Sequence, residues 1–324
     1  MEETSSNSES AHPKAASILR SETYVDDILS GGYSIEETLS AQTQLIETLN
    51  SAGFPLKKIT ANNPQLLAHL PKEDLYDLDF LRFHEASSTK TLGIKWNAIT
   101  DTFSYSFSPI DESQRITKRQ ILSSVAKLFD PAGWLAPIVI RAKMLMQQLW
   151  LEGLEWDEDV SSESLQKWNN LVRDLSHIET ISIPRWLQYT PSDDIQIHGF
   201  SDASKTAYCA TVFIRSKSKV APIQTVCLPR LELNGAVLLS KLVNYVISSL
   251  NFNTKEIFLW TDSSIVLGWL SKHPSTWETY VVNRIAEIAI WKHVPTHDNP
   301  ADLGTRMSKE NSINAFRNST NRYS

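Results

Sequence analysis

Apolar positions change period several times along this chain, and each change marks an element. Residues 1–20 are rich in Ser and Glu with almost no apolar positions, a pattern expected of a disordered tail. Residues 22–33 read as a hairpin, strand, Asp26-Asp27, strand, that runs out in Ser30-Gly31-Gly32. Ser34, with Glu37 three residues on, predicts a capped helix whose buried stripe is Ile35, Leu39, Ile46 and Leu49, and Gly53 stops it. From there to about residue 110 the pattern is mixed, with strands expected at Leu92-Gly93-Ile94-Lys95-Trp96 and Phe103-Ser104-Tyr105-Ser106-Phe107. Residues 115–178 read as helical. Thr117 with Gln120 forms a second capping box, Asp130-Pro131-Ala132-Gly133 a turn, and a long amphipathic helix runs from about Ile138 to Leu151.

Residues 193–306 then alternate strands with helices. His198, Phe200 and Asp202 share one face of a first strand, because strand side chains alternate. A second strand fits Ala207–Arg215. After Pro229 a helix carries Glu232, Ala236, Leu239, Val243 and Val246 at 3.6-residue spacing, so an acid heads an otherwise apolar stripe. Ile257–Thr261 is apolar on both faces, as a central covered strand requires, and Asp262 follows at its carboxyl end. A short strand at Trp291–Val294 leads through Asn299-Pro300 to Asp302 at the start of a terminal helix, and 307–324 is polar and frayed. The fold class is α/β, in an α+β multidomain chain.

Composition narrows the classes. At 324 residues the chain holds two or three domains, and 41% apolar content with 10 Trp argues for folded ones. No apolar run approaches the roughly 20 residues that span a bilayer, and no signal peptide opens the chain, so no membrane partner is expected. Cys209 and Cys227 form neither a disulfide framework nor a zinc site, which suits an intracellular, cytoplasmic or nuclear protein. A net charge of −6 disfavours nucleic-acid binding, but it is unevenly spread. Residues 196–306 hold 11 Lys/Arg against 8 Asp/Glu, a balance of +3, which leaves −9 elsewhere.

Four of those eight acids are the candidate site: Asp202, Glu232, Asp262 and Asp302. A lone Asp at a strand end is ordinarily a turn residue, and Glu in a helix's first turn ordinarily complements the dipole. Four in the order strand, helix, strand, helix are harder to dismiss. Converging at one sheet edge, they would suit two Mg²⁺ or Mn²⁺ ions clamping a phosphodiester. Asp26 and Asp27, on what reads as a short apolar strand, have the same character, since an unpaired buried charge costs on the order of several kcal/mol. His293 and His297 read as structural or surface residues instead of ligands.

The ordered series resembles the pol polyprotein of a BEL/Pao-type retrotransposon over roughly residues 22–306. It is carried by Tyr24-Val25-Asp26-Asp27, Gly53-Phe54-Pro55-Leu56-Lys57-Lys58, Leu92–Trp96, Thr117-Lys118-Arg119 with Phe129-Asp130-Pro131-Ala132-Gly133, and Ile183-Pro184-Arg185-Trp186. Gly199–Ser204, Leu228-Pro229-Arg230-Leu231-Glu232-Leu233, Trp260-Thr261-Asp262-Ser263, and His293-Val294-Pro295 with Asn299-Pro300-Ala301-Asp302 complete it. The resemblance implies a disordered tail (1–21), the C-terminal part of a reverse-transcriptase palm (22–112), a helical thumb or connection (113–190), a ribonuclease H-like mixed sheet with flanking helices (191–306), and a second tail (307–324). It implies that Asp202, Glu232, Asp262 and Asp302 bind two catalytic Mg²⁺ or Mn²⁺ ions, and that Asp26 and Asp27 belong to a partial polymerase metal site. Leu92-Gly93 would lie near a primer terminus. Lys57, Lys58 and Arg230 would contact nucleic acid, an RNA–DNA hybrid or template–primer duplex, with upstream pol segments as further partners.

Three departures qualify the expectation. Only some twenty unrelated-looking residues precede the hairpin, which would leave the polymerase portion truncated and inactive. The third antiparallel strand that the resemblance implies has only about Val220–Val226 available, where Pro222 restricts it to an edge, and almost no loop separates the helix ending near Ala289 from Trp291. Two function classes follow: metal-dependent hydrolysis of RNA in hybrids, or a catalytically inactive remnant that at most binds nucleic acid. A third idea makes the helical middle a protein-interaction module.

Overall fold

The computed structural model describes residues 12–76, 89–91, 94–107, 115–128, 130–186, 195–213, 215–223, 226–250, 254–271 and 291–305. Leu92-Gly93, the 289–291 connection and the 307–324 tail expected from the sequence lie outside the described residues wholly or in part. The chain divides into two compact units. One comprises residues 1–104 and 182–190, the other 105–181 and 191–324.

In the first unit, residues expected as tail are helical. Helix α1 (Pro13–Ser21) buries Ala15, Ala16, Ile18 and Leu19 against Ala41, Leu45 and Leu49 of α2 (Ile35–Ser51). The apolar residues are few, but their spacing lays them on one helical face, and Pro13 occupies the first turn, where a missing N–H costs nothing. Ser34 caps α2 by accepting from Glu37 N at 3.1 Å, and Gly53 takes φ 81° just past its end. Between the two helices, β1 (Thr23–Tyr24) and β2 (Asp27–Ile28) form a minimal hairpin. A four-stranded antiparallel sheet follows: β3 (Thr89–Thr91), β4 (Ile94–Asn97), β5 (Thr102–Ser104) and β6 (Ile183–Pro184). Arg185 closes it with a paired hydrogen bond to Asp101 at 2.6 and 2.9 Å, and Trp96 Nε1 donates to the same carboxylate at 3.0 Å.

The second unit begins with three helices, α3 (Lys118–Ala126), α4 (Ala136–Leu151) and α5 (Ser162–Leu175). The Thr117–Gln120 capping box forms as the sequence predicts. Lys118 is buried, with its ammonium 3.7 Å from the Trp150 ring centroid and donating to Leu154 O at 2.9 Å. A fully desolvated ammonium persists only with such substitutes for water.

The rest of this unit is a five-stranded mixed sheet in the order β11 (Trp291–His293), β10 (Thr254–Thr261), β7 (Ile195–Ala203), β8 (Ala207–Val212), β9 (Arg215–Val220). β7, β8 and β9 are antiparallel in sequence, whereas β10 and β11 run parallel to β7. Helix α6 (Leu228–Leu250) covers one face, burying Leu238, Leu239, Leu242 and Val243 against Ile197, Ala210, Val212 and Leu259. Gly199 lets it close: a Cβ there would lie 2.7 Å from Leu239 Cδ1. Phe200, Trp260, Cys209 and Val294 pack on the opposite face.

The third strand corrects the sequence reading. It spans Arg215–Val220 and pairs with β8 along its length, from Ala207↔Val220 to Val212↔Arg215. The connection at Phe213 and Ile214 carries none of the Gly, Asn or Asp that usually mark a tight turn, so the pattern ran the second strand on to Arg215. Pro222 falls beyond the strand and restricts nothing.

This packing predicts thiol reactivity. Cys209 is buried opposite Asp202 and Cys227 is exposed. Burial pushes the Cys209 thiol up to about 12, with the Asp202 charge adding to the effect, so it stays protonated at neutral pH. Under native conditions one thiol per chain, Cys227, should label quickly. Fast labelling of both would contradict the packing of β7 on β8.

Candidate functional site

The site is built at the carboxyl ends of two adjacent parallel strands. β7 and β10 pair through Phe200↔Trp260 and Ser201↔Thr261, so the next residues, Asp202 and Asp262, emerge at the same sheet edge. Neighbouring strands lie about 4.8 Å apart, which sets the scale of the separation between their Cα atoms. Asp202 is buried, Asp262 half-buried.

Glu232, the fifth residue of α6, reaches this edge from just beyond its first turn. Its stripe is as the sequence predicts, with Ala236, Leu239, Val243 and Val246 all buried. Gly235, one turn on, allows the approach, since a Cβ there would stand 3.0 Å from Asp202 O. Ser263 Oγ donates to Glu232 Oε2 and accepts from Val266 N at 3.2 Å as the cap of α7 (Ser264–Leu270). Burial holds the Glu232 carboxyl above the usual range, the Ser263 hydrogen bond opposes this, and the Asp262 charge adds to the rise.

Asp302 arrives on the turn Pro300–Gly304, which is stitched to the end of β7. Asn299 Nδ2 donates to Ser201 O at 2.9 Å, Ser204 Oγ to Thr305 O at 2.7 Å, and Thr305 Oγ1 to Asp202 Oδ2. The same Thr305 oxygen lies 3.1 Å from Asp302 O.

The four acids are therefore drawn to one edge as two pairs, Glu232 with Asp262 and Asp202 with the Asp302 turn. Among the described residues, no three His, Cys, Asp or Glu side chains gather as a group that would hold a metal ion. As donors the acids fit a hard divalent cation, being oxygen ligands only. The Glu232 and Asp202 carboxylates accept from the Ser263 and Thr305 hydroxyls respectively, which orient them as a cation would in part do.

The other candidates fall elsewhere. Asp26 and Asp27 are exposed, as are Tyr24 and Val25, so the apolar-strand reading of this motif is corrected. A hairpin of two-residue strands covers little, with Ile28 packing partly buried against the α1–α2 core, and Val25 takes φ 55° at its tip. Lys57 is ion-paired with Asp74, and Lys58 is exposed at φ 56°. Arg230 lies in the first turn of α6, two residues before Glu232. His293 and His297 are exposed. Sequence reasoning passed over Gly235 and Thr305. Ser263 and Asn299 stood inside quoted motifs, but a hydroxyl or amide has no signature until its acceptor's position is known.

Residues 117–263 match the protein family described as Pao retrotransposon-like RNaseH-like domain, which takes in Asp202, Glu232 and Asp262 and ends before Asp302. Two solved structures of a foamy viral protease-reverse transcriptase resemble the chain. One, a form designated dRH in complex with double-stranded DNA, is 14% identical with a TM-score of 0.52, covering 88% of this chain and 48% of that one. The other, in complex with an RNA/DNA hybrid, is 13% identical with a TM-score of 0.50, covering 89% of this chain and 37% of that one. At such identity the likeness is one of fold, and the chain spans about half the length of these structures or less. No curated protein matches the sequence.

Proposed function

From a chain that carries, at residues 117–263, a Pao retrotransposon-like RNaseH-like domain, we propose metal-dependent hydrolysis of the RNA strand of RNA–DNA hybrids. One observation carries the reading: the strand order puts Asp202 and Asp262 at the same end of adjacent parallel strands, with Glu232 beside Asp262. Asp202, Glu232, Asp262 and Asp302 would hold two Mg²⁺ or Mn²⁺ ions. Bound there, such ions polarise a phosphodiester and lower the pKa of an attacking water. The protein's part would be to fix the carboxylates on rigid elements. Asp26 and Asp27 fit at most part of a polymerase site.

The hybrid as substrate draws support from the solved structure held with one and from the +3 balance of residues 196–306. Arg230, in the first turn of α6, and Lys57 and Lys58, in the other unit, would meet phosphates. Recognition through backbone and shape makes binding independent of sequence and weaker in salt. A second reading, an inactive remnant, draws support from the pairing of Asp202 and Glu232 with hydroxyls instead of a closed four-acid cluster. The purified chain, given labelled hybrid with Mn²⁺ or Mg²⁺, should cut the RNA strand, spare double-stranded DNA and stop in chelator. Absence of hybrid cleavage under every metal condition would favour the remnant.

A further inference from the structure

Thr305 is fully buried, and its hydroxyl has two acceptors within reach: Asp202 Oδ2, to which it donates, and Asp302 O at 3.1 Å. A threonine hydroxyl carries one hydrogen, so it serves one acceptor at a time, and the charged one wins. We propose that Thr305 is a two-position positioning residue for Asp202. Its hydroxyl holds the carboxylate in the metal-free protein and would be free to turn to Asp302 O once a divalent cation engages that carboxylate. The inference rests on the metal-dependent reading above.

The surroundings favour a hydroxyl turn over a larger movement. Two bonds fasten the 299–305 turn to the end of β7, one at each of its ends: Asn299 Nδ2 to Ser201 O, and Ser204 Oγ to Thr305 O. Asp202 is only 5% exposed, so bulk water is poorly placed to replace the donor if it is removed. A buried carboxylate that loses a donor is destabilised. A cation bound to the carboxylate would make up for much of what was lost, because a full positive charge outweighs one hydroxyl dipole. The second acceptor makes the exchange cheap, since the released hydroxyl is not left without a partner. Ser263 differs: its hydroxyl is also the cap of α7, which fixes its orientation whether or not Glu232 is engaged.

Thermal unfolding of the full chain tests this, with Mn²⁺ itself as the probe. Thr305→Val keeps the shape and removes the donor. In chelator it should lower Tm by roughly 3–8 °C, the loss expected for a hydrogen bond to a charged group in a unit of this size. In saturating Mn²⁺ that gap should shrink by half or more, and Thr305→Ser should restore wild-type behaviour in both conditions. In an Asp202→Asn background, Thr305→Val should cost less than half as much. A gap unchanged by Mn²⁺ in a wild type that does respond to Mn²⁺ would overturn the inference alone, leaving the metal reading in place. The same loss in both backgrounds would also overturn it, by showing a packing role. A wild type whose Tm ignores Mn²⁺ would overturn the inference and the metal-dependent reading together.

Discussion

Replacing Asp262 by Asn is expected to lower hybrid cleavage by roughly 10³-fold or more, since a metal's charge stabilisation is worth several kcal/mol at 1.36 kcal/mol per decade. The amide keeps the carboxylate's shape and loses the charge that holds a hard cation. Asp202→Asn should behave alike and Glu232→Gln somewhat less completely. Asp302→Asn should be milder again, because its position on a short turn suits contact through water. His293→Ala, at an exposed position on β11, should cost little. Stability separates this from a folding defect. The Asp262 charge is one of the influences that raise the Glu232 carboxyl, so removing it relieves a repulsion. The Asp262→Asn protein should therefore unfold at or above the wild-type temperature while its cleavage disappears. Equal cleavage by wild type and Asp262→Asn, in matched Mn²⁺, would refute the site.

The order of elements was legible in the sequence because burial imposes a period. The α6 stripe from Ala236 to Val246 is buried as read, and Ile257–Thr261 lies in a central strand, with Leu259 and Thr261 buried and Ile257, Phe258 and Trp260 half-buried. The caps at Ser34 and Thr117 were legible for a local reason, since donor and acceptor are three residues apart. The β8–β9 turn was not, because its residues lack turn chemistry and only the pairing with β8 fixes it. The helix at Pro13–Ser21 was missed because four small or aliphatic residues suffice once α2 offers a face. In the site, the acids could be named but not their partners. Thr305 lies 103 residues from Asp202, and Ser263 lies 31 from Glu232. Contacts of that range depend on where strands end and helices begin, which one sequence does not state residue by residue.

The Asp130-Pro131-Ala132-Gly133 turn illustrates how a motif can be structural within a domain named for its chemistry, and it supplies the largest stability effect expected here. Asp130 Oδ1 accepts from the Tyr105 hydroxyl at 2.8 Å and Oδ2 from Leu135 N at 2.9 Å, which ties the strand-side segment to the start of α4. Tyr105 is 3% exposed, and burial together with the Asp130 charge pushes its phenol well above its ordinary 10.0. Tyr105→Phe removes a donor from a largely buried carboxylate and should cost about 1.5–3 kcal/mol at neutral pH. Asp130→Ala should cost at least as much, because the buried hydroxyl then loses its acceptor. The pH dependence gives a sharper check. A group whose folded pKa is raised contributes stability that is present below its unfolded pKa and lost as pH rises towards the folded one. Above about pH 10 the unfolded phenol ionises and the native one does not, so wild type should lose up to about 1.4 kcal/mol per pH unit through this residue. Tyr105→Phe lacks that slope. Denaturant unfolding across pH 7–11 should therefore show the two proteins converging as pH rises, and parallel curves would mean that Tyr105 does not donate to Asp130 in the native state.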